Sequence, residues 1–217
     1  MGCLRNVLAG VGCATLLVIG GIAAWHYRAQ IGGLVDSVRG EPAAWSADTT
    51  GAVGHPSEGA LRSARRAEAR MAAPDGPAEV TLTADELAAL IADALDPVAR
   101  RVLDSIRVVL APGRFTLEGA LLTTGLDRGL LGPLSGMLDP WEPVRMGGPA
   151  EVVGRGRVAW RPDELVVRAF PFPGALVPRL VDAIMGVQNG AVPIPVPATV
   201  GAVRIGADAV VFERRKD

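Results

Sequence analysis

The chain has 217 residues, a formal net charge of −1 and only 4% aromatic residues. It therefore offers neither the basic character typical of nucleic-acid-binding proteins nor the aromatic platforms on which bases stack. Both cysteines, Cys3 and Cys13, lie near the N-terminus, and no histidine follows His55. A disulfide framework, a cysteine-based metal site and a Ser–His or Cys–His nucleophile are thus not expected in the rest of the chain.

Residues 1–29 are predicted to form an N-terminal transmembrane anchor. Residues 7–25 carry no charge, and as a helix they would extend about 28 Å, close to the thickness of the bilayer hydrocarbon core. Trp25 and Tyr27 at its end are typical of the membrane interface. A cleaved signal peptide and a lipoprotein acylated at Cys13 are the alternatives. We expect a single-pass protein of the cell membrane, with its folded domain on the extracytoplasmic side.

Residues 30–77 are predicted to be a flexible or partly helical tether, because they are rich in Ala, Gly, Pro, Ser and Asp. Within them, residues 58–73 contain good helix formers and the arginines Arg62, Arg65, Arg66 and Arg70. Two interpretations stay open. The stretch is either a solvated helical tether or a basic helix that contacts anionic lipid headgroups.

A folded domain is predicted over residues 78–217. It begins with a short strand, after which Thr83 and Glu86 have the spacing of a helix capping box. Apolar residues then recur at helical spacing, so one face of this helix can pack on a sheet. Asp96 and Pro97 end the helix, and a second short helix is expected through about Leu103.

Three hairpins are predicted from alternating apolar residues, with turns at residues 111–113, 161–164 and 206–208. Residues 154–157 read Gly-Arg-Gly-Arg, but no Lys-Ser pair follows them. We interpret these arginines as the solvent-facing side of a strand rather than as a phosphate-binding loop. Residues 125–141 are expected to form a short broken helix or a lid, since glycines and Pro133 interrupt them.

A strongly apolar helix is predicted over residues 174–187, with an apolar arc wider than one buried face needs. The segments FPFPG (170–174) and AVPIPVPA (191–198) flank it. Prolines on alternate residues exclude a central strand, so we expect extended, unpaired edges that cannot complete a sheet. These three segments are predicted to frame an apolar groove, although simple closure of an ordinary core is the alternative. The predicted ligand-binding residues are Phe170, Phe172, Leu176, Leu180, Ile184, Val187, Val192, Ile194 and Val196.

The stretches VTLTADELAALIADAL and LVVRAFPFPGALVPRLVDAIMGVQNGAVPIP resemble the YpmS-like bacterial membrane-anchored proteins, over roughly residues 79–213. Those proteins look like members of the tubular lipid-binding group, whose domains curl a sheet around a helix to enclose an apolar tunnel. The resemblance implies an α+β fold, in which a curled antiparallel sheet of hairpins packs on two or three helices after one transmembrane helix. The family has no established catalytic residues to carry over.

The leading functional hypothesis is a non-enzymatic, membrane-anchored domain that binds lipid or another apolar ligand in a groove. It requires no cofactor and no metal, and its partners are the membrane, through residues 7–25, and an acyl chain. The alternative is a structural or interaction protein of the cell envelope that binds a partner chain through its apolar edge. An enzyme is not expected, because no convergent pair of carboxylates accompanies the missing histidines and cysteines.

Overall fold

A computed structural model describes residues 51–131 and 136–216. They belong to a compact unit that extends from Ser46 to Asp217. The predicted span over residues 7–25 lies outside the described residues. Within the described ranges, no helix is long and apolar enough to cross a bilayer.

The chain alternates short helices with antiparallel strands, which confirms the α+β class. The helices are α1 (Glu58–Ala72), α2 (Ala84–Ala94), α3 (Ala99–Val102), α4 (Arg128–Leu131) and α5 (Val177–Met185), with a 3-10 turn at Thr123–Gly125. The first six strands are β1 (Val53–Gly54), β2 (Glu79–Thr83), β3 (Leu103–Ala111), β4 (Arg114–Leu122), β5 (Trp141–Gly148) and β6 (Ala150–Gly154). The last six are β7 (Arg157–Trp160), β8 (Glu164–Val167), β9 (Phe170–Pro171), β10 (Val192–Pro195), β11 (Val200–Ile205) and β12 (Ala209–Arg214).

The strands form three sheets rather than one curled sheet. A six-stranded sheet has the order β1-β3-β4-β5-β8-β9, and two three-stranded sheets have the orders β10-β7-β6 and β11-β12-β2. Helix α2 contacts strands of all three, namely β1 and β3, β2 and β12, and β10. The core therefore surrounds α2, and one connected hydrophobic cluster fills the space between this helix and the sheets.

Helix α2 begins at the predicted capping box. The Thr83 hydroxyl accepts a hydrogen bond from the Glu86 backbone N–H at 3.2 Å, and the Glu86 carboxylate accepts one from the Thr83 N–H at 2.8 Å. Leu87, Leu90 and Ile91 are buried on the face that the helical spacing predicts. This cap fixes where the central helix starts, since both orphan N–H groups are satisfied.

Helix α1 corrects the interpretation of residues 58–73 as a solvated helical tether. Its residues Ala64, Ala67 and Met71 are buried, and it packs against α2. The Thr199 hydroxyl and the Arg214 guanidinium donate hydrogen bonds to the Met71 carbonyl at 2.8 and 3.2 Å. Alanines allow two helices to approach closely, so a short, weakly hydrophobic stripe is enough to dock α1.

The second hairpin turns at a different place from the predicted residues 161–164. Strands β5 and β6 run antiparallel to β8 and β7, and the chain reverses between Gly154 and Arg157, where Gly156 has a φ of 75°. Only glycine adopts this left-handed conformation without strain. Pro149 and Pro162 instead interrupt the ribbon midway, where it passes from the six-stranded sheet into a three-stranded one.

Both proline segments end a sheet, so the expectation that they could not do so is wrong. Strand β9 pairs with β8, and β10 pairs with β7. The Phe172 N–H donates to the Leu165 carbonyl, and the Val196 N–H donates to the Gly156 carbonyl. Backbone N–H groups point alternately to the two sides of a strand. The proline nitrogens, which have no N–H, therefore lie on the open edge, where no hydrogen-bond donor is needed. These edges cannot accept a further strand in full register.

Candidate apolar ligand site

A small apolar cavity lies between the two three-stranded sheets; we call it the interior cavity. Every side chain in its wall is apolar, and the volume open to a water-sized sphere is about 10 Å³. That volume holds one water at most, so the interior is closed in this structure. The wall consists of Leu87, Phe115, Ala150, Val158, Ile194, Val196, Val203, Ile205, Val210 and Phe212.

The third hairpin builds much of this wall through its alternation. Val203 and Ile205 on β11 and Val210 and Phe212 on β12 each lie two residues apart, so they face the same side of the sheet. The predicted turn at residues 206–208 is confirmed and sets their register. A two-residue alternation on both strands therefore places four apolar side chains on one side of the interior.

Phe115, on β4 of the six-stranded sheet, lines one end of the cavity and packs against Trp160 of β7. The rings of Phe115 and Trp160 stack with centroids 4.7 Å apart and an interplanar angle of 19°. The Trp160 indole N–H donates a hydrogen bond to the Gly148 carbonyl at 3.2 Å. Both rings are almost fully buried, so the stacked Trp160 fixes the position of Phe115 in the wall.

An open groove lies on the surface beside the cavity, between helix α1 and strand β10; we call it the surface groove. Its volume is about 360 Å³, and it is lined by Arg65, Glu68, Ala69, Ala72, Pro195, Val196 and Pro197. Val196 belongs to the walls of both the groove and the interior cavity. This half-buried side chain therefore separates the apolar interior from the surface.

Arg65 is the charged centre of the surface groove. Its guanidinium lies 2.6 Å from a carboxylate oxygen of Asp93 and 2.7 Å from one of Glu68. The hydrogen bond to Asp93, then that to Glu68, raise the pKa of Arg65 above its ordinary value. The two carboxylates more than balance the positive charge of Arg65, so this group of three side chains carries a net charge of −1.

The two three-stranded sheets meet along β6 and β11, a boundary that we call the sheet seam. The two strands are neighbours, but no ladder of backbone pairing joins them. Each sheet is therefore held internally by its own hydrogen bonds. Side-chain contacts, rather than backbone pairing, hold the two sheets together at this boundary.

Three of the predicted ligand-binding residues lie on or just after β10. Ile194 and Val196 line the interior cavity, and Val192 is buried next to them without lining it. The β10 segment therefore contributes two of its three predicted residues to the cavity wall. The cavity is not framed by the other two segments.

The other six predicted residues lie elsewhere. Leu180 and Ile184 are fully buried in the packed core, and Leu176 is 39% exposed at the N-terminal end of α5. Val187, after the helix, is half-buried, as are Phe170 and Phe172 beside the six-stranded sheet. These two phenylalanines do not face the β10 segment across a groove, because β9 and β10 end different sheets.

Eight residues of the wall were missed by the sequence analysis. They are Leu87, Phe115, Ala150, Val158, Val203, Ile205, Val210 and Phe212. The alternation in the hairpins does indicate which of their side chains are buried. It does not indicate which sheets face each other, since that depends on the bend at Pro149 and Pro162.

A second polar feature lies on the outer face of the six-stranded sheet; we call it the sheet charge network. The Glu118 carboxylate is only 7% exposed, with Arg107 at 2.7 Å and Arg145 at 3.6 Å. Three arginines and three carboxylates make the network neutral. Its members are Arg107, Glu118, Arg145, Glu164, Arg114 and Asp163.

Comparison with known proteins does not identify the site: no family model, no curated protein and no solved structure matches this chain. The resemblance to YpmS-like proteins stays a prediction. The described residues also contain no group of three or more His, Cys, Asp or Glu side chains placed to hold a metal ion.

Proposed function

We propose that the chain is a non-enzymatic, membrane-anchored extracytoplasmic domain that binds the acyl chain of a lipid in the interior cavity. One observation carries the proposal. A wall made only of apolar side chains lies at the sheet seam, where no backbone hydrogen bonds join the two sheets. An apolar ligand needs such a wall, and it needs no catalytic group.

The energetics favour exchange with a bilayer. Removing an acyl chain of about twelve methylenes from water gains roughly 10 kcal/mol. A bilayer offers the chain a similar gain, so transfer between bilayer and protein is close to balanced. A domain held near the membrane can therefore take up and release lipid without an energy source.

Binding requires the interior cavity to widen, since ligand sites usually enclose about 300 Å³ or more. Separation of β6 from β11 provides this space without breaking a ladder of either sheet. Displacement of Val196 then joins the cavity to the surface groove. The acyl chain enters between α1 and β10 and extends towards the hairpin of β11 and β12.

The alternative is an interaction protein of the cell envelope, and two exposed residues favour it. Met137 is 58% exposed and Trp141 is 47% exposed, near the start of β5. Aromatic and methionine side chains are enriched in protein interfaces. A partner strand is nevertheless disfavoured at β9 and β10, because their outward positions carry proline.

Native mass spectrometry of the compact unit, residues 46–217, tests the proposal. The unit includes α1, which belongs to the core, and it is produced and purified without detergent. We expect a fraction of the protein to carry an added mass equal to that of a fatty acid or phospholipid. A unit that carries only a co-purifying protein supports the interaction alternative and contradicts lipid binding.

A further inference from the structure

The surface groove is flanked on both sides by basic side chains. On one side, helix α1 carries four arginines and two glutamates, a net charge of +2. On the other side, the turn between β6 and β7 carries Arg155 and Arg157. Helix α1 and these two arginines together carry +4, of which Asp93 beside Arg65 offsets one, whereas the whole chain has a formal net charge of −1.

Contacts place the hairpin turn directly beside the groove. Arg157 is opposite Pro195 in the pairing of β7 with β10. The Val196 N–H donates to the Gly156 carbonyl at 3.1 Å. Pro195 and Val196 are part of the groove wall, so Arg157 and the turn before it lie at the edge of the groove.

The arginines of α1 form a stripe on the side of the helix that faces away from the core. Arg62, Arg66 and Arg70 recur every fourth residue and are all exposed. Only Arg62 has an ion-pair partner among the described residues, the exposed Glu58 at 3.5 Å. The guanidinium groups of Arg66 and Arg70, like those of Arg155 and Arg157, form no ion pair with any residue in the described part of the chain.

Apolar surface accompanies these charges. Val153, two residues before Arg155, is 49% exposed at the end of β6. The floor of the groove between the two flanks contains Pro195, Val196 and Pro197. A surface that mixes arginines with exposed apolar side chains is typical of proteins that dock at the membrane interface, where both are stabilised.

We propose that the outer stripe of α1 and the β6–β7 turn dock together on the surface of an anionic phospholipid bilayer. In this position the surface groove faces the lipid, and the interior cavity lies directly behind Val196. The charge complementarity favours an anionic bilayer, and exposed Val153 favours it over a soluble polyanion. The docking itself does not depend on the proposed function, but its use as a route for lipid does.

The length of chain before the described residues permits this contact. Residues 26–50 separate the end of the predicted span from Gly51, which is 25 residues. Fully extended, they would span at most about 85 Å. Helix α1 begins only seven residues after Gly51. The predicted anchor can therefore hold the domain at a bilayer without preventing α1 from lying on it.

The test uses the full chain in nanodiscs of phosphatidylcholine, with or without 30% phosphatidylglycerol. Cys3 and Cys13 are replaced by serine, and a fluorophore is attached to V153C or, as the distant control, to T124C in the 3-10 turn. A nitroxide on the lipid headgroups quenches a fluorophore that lies at the bilayer surface. We expect strong quenching at position 153 only in the phosphatidylglycerol discs, and little at position 124 in either disc.

Neutralising the arginines of the turn gives the sharper result. Each basic side chain near an anionic surface contributes roughly fivefold to binding, so R155Q/R157Q lowers the docking constant roughly 25-fold. The matched control R101Q/R179Q removes two exposed, unpartnered arginines elsewhere and leaves the quenching unchanged. Salt at 0.5 M should abolish the quenching, because it screens such contacts.

Three results of the quenching experiment overturn the docking proposal. They are equal quenching at positions 153 and 124, equal quenching in the two lipid compositions, and no effect of R155Q/R157Q. Release of the domain by heparin at the same concentration of negative charge also contradicts it, since the surface would then bind polyanions in general. Uptake of a soluble fluorescent fatty acid by R155Q/R157Q is measured separately. If R155Q/R157Q loses docking but takes up the fatty acid normally, the proposal of lipid binding still holds. If the protein docks but takes up no fatty acid, lipid binding is rejected and the docking proposal still holds.

Discussion

Two regions of the molecule use arginine in opposite ways. In the sheet charge network, the Glu118 carboxylate is almost buried and lies between Arg107 and Arg145. Around the surface groove, Arg155 and Arg157 are exposed and have no ion pair among the described residues. The difference shows that the charged side chains of this protein do not all have the same environment: some are solvated, and others are nearly buried in ion pairs. Paired charges link neighbouring strands, and in the docking proposal the unpaired ones contact the bilayer.

Among the variants that test this difference between paired and unpaired arginines, Glu118→Ala is expected to lower stability the most. It leaves Arg107 and Arg145 without their shared carboxylate on the sheet. The free energy of unfolding in urea should fall by about 2–3 kcal/mol, less than for a fully buried pair because both arginines are partly solvated. The control Glu151→Gln breaks an exposed pair with Arg161 and should change stability by less than about 0.5 kcal/mol. Equal effects of the two variants would remove the distinction between structural and free charges.

Ile184→Trp extends the comparison to apolar residues. Ile184 is fully buried on α5 and does not line the interior cavity. The larger ring should overpack the core and lower the free energy of unfolding by about 1–3 kcal/mol. Leu176→Trp, on the exposed end of the same helix, is the control and should be near neutral. A stable Ile184→Trp protein would indicate free space beside α5 that the structure does not show.

Asp93→Asn weakens the ion pair at the groove. Arg65 keeps Glu68 as a partner, and the side chains of Arg65 and Asp93 are 48% and 42% exposed. We therefore expect the midpoint of urea unfolding to shift by the equivalent of about 0.2–1 kcal/mol. A loss as large as that of Glu118→Ala would mean that the groove, like the sheet, is held by its charges.

The smallest effect is expected for R155Q/R157Q. Both guanidiniums are exposed and unpaired, so thermal unfolding should stay within about 0.5 kcal/mol of the unchanged protein. If this variant loses bilayer docking but keeps its stability, the turn arginines act in docking and not in folding. A clear loss of stability would show that the turn arginines have a structural role.

Local features were predictable from the sequence because local chemistry determines them. The capping box at Thr83, the turn near Pro112 and the turn at residues 206–208 all depend on residues within a few positions of each other. Helix α5 and strands β2 to β4 followed from apolar periodicity.

The arrangement of the sheets was not predictable in the same way. Residues 154–157 and 161–164 both contain turn-forming residues. The sequence pattern does not indicate that the chain reverses at the first of these two stretches. Residues 58–73 look solvated because the buried face of α1 consists mainly of Ala64 and Ala67, which carry little hydrophobic signal. The cavity wall depends on which sheets meet, and that contact lies between residues far apart in the sequence.

The central claim is that the interior cavity accepts an acyl chain through Val196. The most direct test is the uptake of a fluorescent fatty acid by the unit 46–217, compared with Val196→Trp. Val196 is half-buried beside the open surface groove, so the added ring has space outside the core and should cost little stability. The account predicts saturable uptake by the unchanged unit, at least tenfold weaker or slower uptake by Val196→Trp, and normal uptake by the control Leu176→Trp. No saturable uptake by a correctly folded unit, or uptake that Val196→Trp leaves unchanged, would contradict it.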